Sequence, residues 1–145
     1  MSGLTVDRAV VPPAEKVMLM NWLNGGYYTS WYSESKVHAS TGPHTDVKVF
    51  YNSILEASMK AGNKNHPVGA TAVKEQSEGG THYGWSVSIK LQEESAYGDG
   101  WYWFESVDKT DISMVPFEGV GHQLCTGCHV RPGNKDLILS GFPLK

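Results

Sequence analysis

The feature that most constrains this chain lies near its end. Its 145 residues contain only two cysteines, and both fall in Cys125-Thr126-Gly127-Cys128-His129. C-x-x-C-H is the spacing of covalent c-type haem attachment. Two thiols add to the two vinyl groups of one haem, and the adjoining imidazole is carried under the iron as proximal ligand. Cys125, Cys128 and His129 are therefore the expected holders of one covalent haem c per chain, with His129 as the metal ligand. Two other uses of the motif fit less well. A redox C-x-x-C belongs near a helix start in a thioredoxin-like βαβ context, which the flanks Gly121-His122-Gln123-Leu124 and Val130-Arg131-Pro132-Gly133 do not resemble. A zinc site would recruit His122, but the adjacent Cys128 and His129 are poorly disposed to reach one tetrahedral ion, and no second cysteine pair exists.

The rest of the chain reads as α+β. Sixteen glycines and seven prolines imply many turns and argue against a helical bundle. Pro12-Pro13-Ala14-Glu15 opens a first helix, with Val17, Met18, Met20, Trp22 and Leu23 as its apolar surface and Gly25-Gly26 as its stop. From Thr45 to Tyr51 the apolar Val47, Val49 and Tyr51 alternate with Asp46, Lys48 and Phe50, a strand with one face buried and Phe50 covering the other. Ser53-Ile54-Leu55-Glu56 reads as a capping box for a second helix that Gly62 ends. After the turn Asn65 to Gly69, strands are expected over Ala70–Glu75, Trp85–Lys90 and Trp101–Phe104, the last a run of four aromatics that lines both faces. The expectation is an antiparallel sheet packed with two or more helices, the haem motif near the C-terminus, and a single domain over 1–145 in which 1–30 is an N-terminal helix and extension.

Charge and hydropathy narrow the function classes. Fifteen acidic and twelve basic side chains give a formal net charge of −3, without a basic run able to neutralise a string of phosphates, so nucleic acid is not expected as a partner. No apolar stretch approaches the roughly 20 residues that cross a bilayer, so no membrane span is expected. The first residues lack a signal-peptide core. Because haem is attached outside the cytoplasm, the expectation is a periplasmic or otherwise exported chain written without its export signal.

The position of the motif separates cytochrome types. Sixteen residues follow His129 and no methionine follows Met114, which excludes a downstream methionine as sixth ligand. Strand alternation argues against the four-helix cytochromes c′, which also carry the motif late.

From about Trp31 to Leu144 the sequence resembles the cytochrome P-460 family, which includes the cytochromes c′-beta. The resemblance rests on Val47-Lys48-Val49-Phe50-Tyr51-Asn52, His66-Pro67-Val68-Gly69-Ala70-Thr71-Ala72-Val73-Lys74-Glu75, Gly84 to Lys90, Gly100 to Phe104, and Cys125 to His129, in that order. It implies a homodimeric antiparallel sheet with helices, a five-coordinate c-haem and an open iron face that takes small nitrogen ligands. It also implies a catalytic role for Lys74, as the lysine linked covalently to the porphyrin edge, and oxidation of hydroxylamine to nitrous oxide or nitrite with a redox partner protein as electron acceptor. The c′-beta relatives bind nitric oxide without turnover. Where the family pattern has an arginine before the second helix, this chain has Lys48, which lacks the forked donors.

Other residues remain open on sequence alone. Lys74 beside Glu75 is equally read as a solvated strand charge. Trp85, Val87, Trp101 and Trp103, at alternating strand positions, line either the open haem face or the sheet core. Glu75 and Glu105 are candidate proton acceptors. His38, His44, His66, His82 and His122 sit near turn or polar residues and read as turn or surface positions; a sixth ligand among them would make the protein an electron carrier. Asp136 is a candidate partner for the second ring nitrogen of His129.

Overall fold

The computed structural model describes residues 7–40, 44–93, 100–122, 125, 126, 129, 138, 143 and 144. Its first helix, α1, is Lys16–Asn24. The Glu15 carboxylate caps it, accepting from Val17 N at 2.7 Å and Met18 N at 3.2 Å, which satisfies two of the orphan donors of the first turn. Leu19, Met20, Trp22 and Leu23 are buried. Val17 and Met18, expected on the apolar face, are instead half exposed. At 100° per residue the buried Leu19, Met20, Trp22 and Leu23 share one arc of the helix, and Val17 and Met18 fall outside it.

Seven strands follow, β1 (Tyr32–Ser33), β2 (His38–Ala39), β3 (Asp46–Tyr51), β4 (Thr71–Glu78), β5 (Thr81–Lys90), β6 (Trp101–Glu105) and β7 (Phe117–Val120), with helix α2 (Ser53–Lys60) between β3 and β4. They form one antiparallel sheet in the order β1-β3-β4-β5-β6-β7, with β2 also pairing β3. The α+β antiparallel architecture with two helices is therefore observed. Among the described residues no helix is long and apolar enough to cross a membrane.

The long central hairpin is set by Gly79 and Gly80, whose φ angles are 59° and 84°. Two consecutive left-handed residues make the tight connection whose twist matches the strands on either side. Because of it, β4 and β5 run on past the expected limits at Glu75 and Trp85 and meet at Glu78 and Thr81.

The cap of α2 differs from the expected box. Asn52 precedes the helix, and its Oδ1 accepts from both Leu55 N and Thr71 N at 3.0 Å. Its Nδ2 donates to Val10 O and Gly69 O, each at 2.8 Å. Ser53 is the first helical residue rather than the cap, because the amide of Asn52 can serve four groups where a hydroxyl cannot. Gly62 ends the helix with φ 73°, as expected.

The sheet divides the interior. On one face α1 and Tyr28 cover Phe50, Val73, Trp85, Val87, Ile89, Tyr102 and Phe104. On the other, α2 with Cys125, Ile138 and Leu144 packs on Val49, Tyr51, Ala72, Trp101 and Trp103. The four aromatics of β6 do split between faces, as the sequence predicts.

Candidate functional site

The period-two alternation of strands assigns each candidate to a face. Lys74 lies between Val73 and Glu75 on β4, on the face shared by Ala72, Trp101 and Trp103. Its row across the sheet reads Val49, Lys74, Ser86, Glu105. The neighbouring row reads Tyr51, Ala72, Ser88, Trp103. Ala72, Ser86 and Ser88 thus form a floor of small side chains, with Lys74 and Glu105 on one side and the two tryptophans on the other.

Cys125, Thr126 and His129 are helical, entered by a turn in which Cys125 N and Thr126 N donate to His122 O. Cys125 packs against the apolar cluster of the Lys74 face. The His129 ring lies 4.7 Å from that of Trp103, and the residue is 9% exposed. The structure therefore brings Lys74, Cys125 and His129 to one face. From strand spacing and rise, the Cα atoms of Lys74 and Trp103 stand about 12 Å apart, with the small-residue floor between them. Cys128 and Asp136 lie outside the described residues.

Two carboxylate–histidine pairs flank Lys74. Glu34 Oε1 accepts from Val49 N at 2.7 Å while Oε2 lies 2.6 Å from His38 Nε2. Glu105 Oε1 is 3.2 Å from His44 Nδ1. Since β4 and β5 separate β3 from β6, it is the segment leading into β3, and not the reach of an imidazole, that brings His44 to Glu105. Burial of the Lys74 ammonium lowers its pKa, and the charges of Glu34 and Glu105 oppose that shift without cancelling it. Among the described residues no three histidines, cysteines or carboxylates converge as a bare-metal site.

Gln76 follows Lys74 on the same face, opposite Val47 and Gly84. It is 1% exposed, and its Nε2 has no hydrogen-bond partner. An orphaned buried amide is uncommon, because its desolvation is uncompensated. Sequence reading missed Gln76; the signal available was a polar residue in step with Ala72 and Lys74 on a strand buried on both faces.

Several candidates fall elsewhere. Trp85 and Val87 lie in the α1 core and do not line this face. Glu75 also faces α1, accepting from Tyr28 Oη at 2.5 Å, which leaves Glu105 as the candidate acceptor beside Lys74. Lys48 sits on the α1 face with its ammonium 5.3 Å from the Phe50 ring centroid. His66 is not a surface residue; it is buried, with Nδ1 2.7 Å from Ser58 Oγ and its ring edge-on to Trp101. His82 meets Gly84 O at 2.9 Å, and His122 packs on Phe117. A shallow cleft lined by Glu78, Thr81, Tyr83 and Val107 holds none of the candidate residues.

The donor set fits a covalent haem. The Cys125 thiol and the buried His129 imidazole both lie on a face with a low floor, an amine at its far side and an amide donor lacking a partner. The chain matches no protein-family model and no curated protein.

Proposed function

We propose that this chain is a mono-haem c-type cytochrome of the P-460 type, with an open distal iron position, that oxidises hydroxylamine to nitrous oxide or nitrite. The observation that carries the reading is the common face of Lys74, Cys125 and His129. In this reading Cys125 and Cys128 form the thioether bonds and His129 ligates the iron. When bound, the haem supplies one-electron chemistry and a coordination position for a small nitrogen ligand.

The chain's own residues supply the rest. Trp103, packed on His129, restricts the imidazole plane and shields it from water. Burial shifts the Lys74 equilibrium toward the neutral amine, the nucleophilic form that bonds to a porphyrin edge. Glu105 with His44, and Glu34 with His38, are positioned to accept the protons that hydroxylamine gives up. The small side chains of Ala72, Ser86 and Ser88 leave room above the sheet for a flat prosthetic group. Export to the periplasm, a homodimer and a separate redox partner protein complete the proposal.

The second reading, a nitric oxide-binding protein of the c′-beta kind without turnover, is favoured by one observation: Lys74 stands between two carboxylates that hold part of its charge. Expression with a cytochrome c maturation system separates the readings. The expected result is covalent haem, a red-shifted ferrous Soret band that Lys74→Met abolishes, and hydroxylamine-dependent reduction of an acceptor. An ordinary c-haem spectrum with nitric oxide binding and no turnover supports the second reading. Colourless protein, or Cys125→Ala and Cys128→Ala variants that keep haem covalently attached, would falsify both.

A further inference from the structure

The face opposite the candidate site holds a second set of reactive groups. Tyr28, buried under α1, donates its phenolic hydrogen to Glu75 Oε2 at 2.5 Å and accepts from Trp85 Nε1 at 2.9 Å. Burial, together with the anionic acceptor, pushes the phenol pKa well above its ordinary value. The Tyr28 ring centroid is 6.2 Å from that of Trp22, and Trp22 stacks at 5.7 Å and 22° on Tyr27. Tyr27 is 52% exposed. A continuous aromatic path therefore runs from solvent at Tyr27, through Trp22, to a buried phenol that has a base in contact.

The chemistry of the members differs. The indole N–H groups of Trp22 and Trp31 donate to the backbone carbonyls of Arg8 and Ala9, which are not bases. Only Tyr28 in this path is hydrogen-bonded to a carboxylate. An oxidised phenol is a strong acid, so an electron hole entering the path loses most energy where the proton can leave at once. His82 lies edge-on to Trp85 at 5.0 Å and interacts electrostatically with Glu75, so its charge tunes the acceptor.

We propose that Tyr28 is a redox-active tyrosine, that Glu75 is its proton acceptor, and that Tyr27 and Trp22 connect it to a high-potential one-electron oxidant arriving from solvent. In the step, the oxidant gains one electron and Tyr28 loses it. The phenolic O–H bond breaks, a new O–H bond forms on Glu75 Oε2, and the products are a neutral phenoxyl radical and a neutral carboxylic acid. Return of one electron reverses both transfers. The relay is independent of any haem.

The test is flash-quench oxidation of the full chain, fully oxidised beforehand, with photogenerated ruthenium(III) tris-bipyridine, read by transient absorption and by EPR with ring-deuterated tyrosine. The wild type should give a neutral phenoxyl radical that persists in Tyr27→Phe, with slower formation in deuterated water. Glu75→Gln, which keeps an acceptor but removes the base, should lower the yield about tenfold, the scale of a lost charge-assisted bond. Tyr28→Phe should remove the signal. A radical unchanged in Glu75→Gln, or one lost in Tyr27→Phe and kept in Tyr28→Phe, overturns the proposal. Where Tyr28→Phe does not fold by circular dichroism, Glu75→Gln and the isotope effect decide; absence of an isotope effect counts against it.

Discussion

The two faces of the central sheet are made by the same strands yet manage their polar groups in opposite ways. On the α1 face Glu75 is matched by Tyr28, Tyr28 by Trp85, and apolar rings close around them. One residue away in either direction, Lys74 and Gln76 share the other face with small side chains, and Nε2 of Gln76 is buried without a partner. A buried hydrogen-bonded network rigidifies a core, whereas an unsatisfied one raises its free energy. The first face is built for stability. The second leaves a buried donor, Gln76 Nε2, unsatisfied.

The largest expected effect breaks the sealed face. Phe104 is buried against the α1 cluster, and Phe104→Ala should cost about 3–5 kcal/mol in urea unfolding. Ser86→Ala, on the small-residue floor, should stay within about 0.5 kcal/mol. Equal losses at both sites would contradict the contrast between faces. Next in size is Tyr28→Phe, which leaves Glu75 and the Trp85 N–H without their shared partner and should cost about 1–3 kcal/mol.

Which of these features the sequence announces follows from how local their causes are. The alternation Val47, Val49, Tyr51 and the aromatic run Trp101 to Phe104 report strands directly, and both split between faces as their period requires. The cap of α2 was legible only in part. Ser-x-x-Glu was present, but the deciding interactions of Asn52 reach Val10, Gly69 and Thr71, up to 42 residues away, and no local pattern contains them. His66 read as a turn residue because Pro67 follows it, yet Ser58 and Trp101 enclose it. The Gly79-Gly80 pair is a local hairpin signal, and it carries β4 and β5 to Glu78 and Thr81. For the candidate site, the motif named Cys125 and His129. Separating Glu105 from Glu75 required knowing which face of β4 and β6 each side chain occupies.

Smaller effects sharpen the second face. Gln76→Leu removes a buried amide nitrogen that has no hydrogen-bond partner and should stabilise the ligand-free chain by about 1 kcal/mol. The same change should weaken retention of whatever ligand the amide serves, seen as faster loss on dilution. Lys74 gives a pH signature. Its folded pKa lies below the unfolded value near 10.5, so between the two the unfolded chain binds more protons and stability rises with pH. Urea midpoints measured as pH approaches 10.5 from below should climb for the wild type and flatten in Lys74→Met.

The smallest effect concerns His38, at the exposed rim of the same face. Its pKa is raised, first by Nδ1–H donating to the Ala39 carbonyl, which outweighs the opposing desolvation, and then by the Glu34 carboxylate, with the Lys74 charge lowering it. A raised histidine contributes stability that is fully present below its unfolded value near 6.5 and is lost as pH rises through the folded value. Exposure and screening hold that contribution to about 0.3 kcal/mol. The sharper measurement is an NMR titration, in which the His38 ring protons should move at a pH above 6.5 and Glu34→Gln should bring the midpoint down toward it. Because Glu34 also sets the charge on Lys74, the same Glu34→Gln variant should lower the Lys74 pKa further. Both shifts moving downward together would tie the rim histidine to the buried amine, and a Lys74 value that does not move would separate the rim from the site.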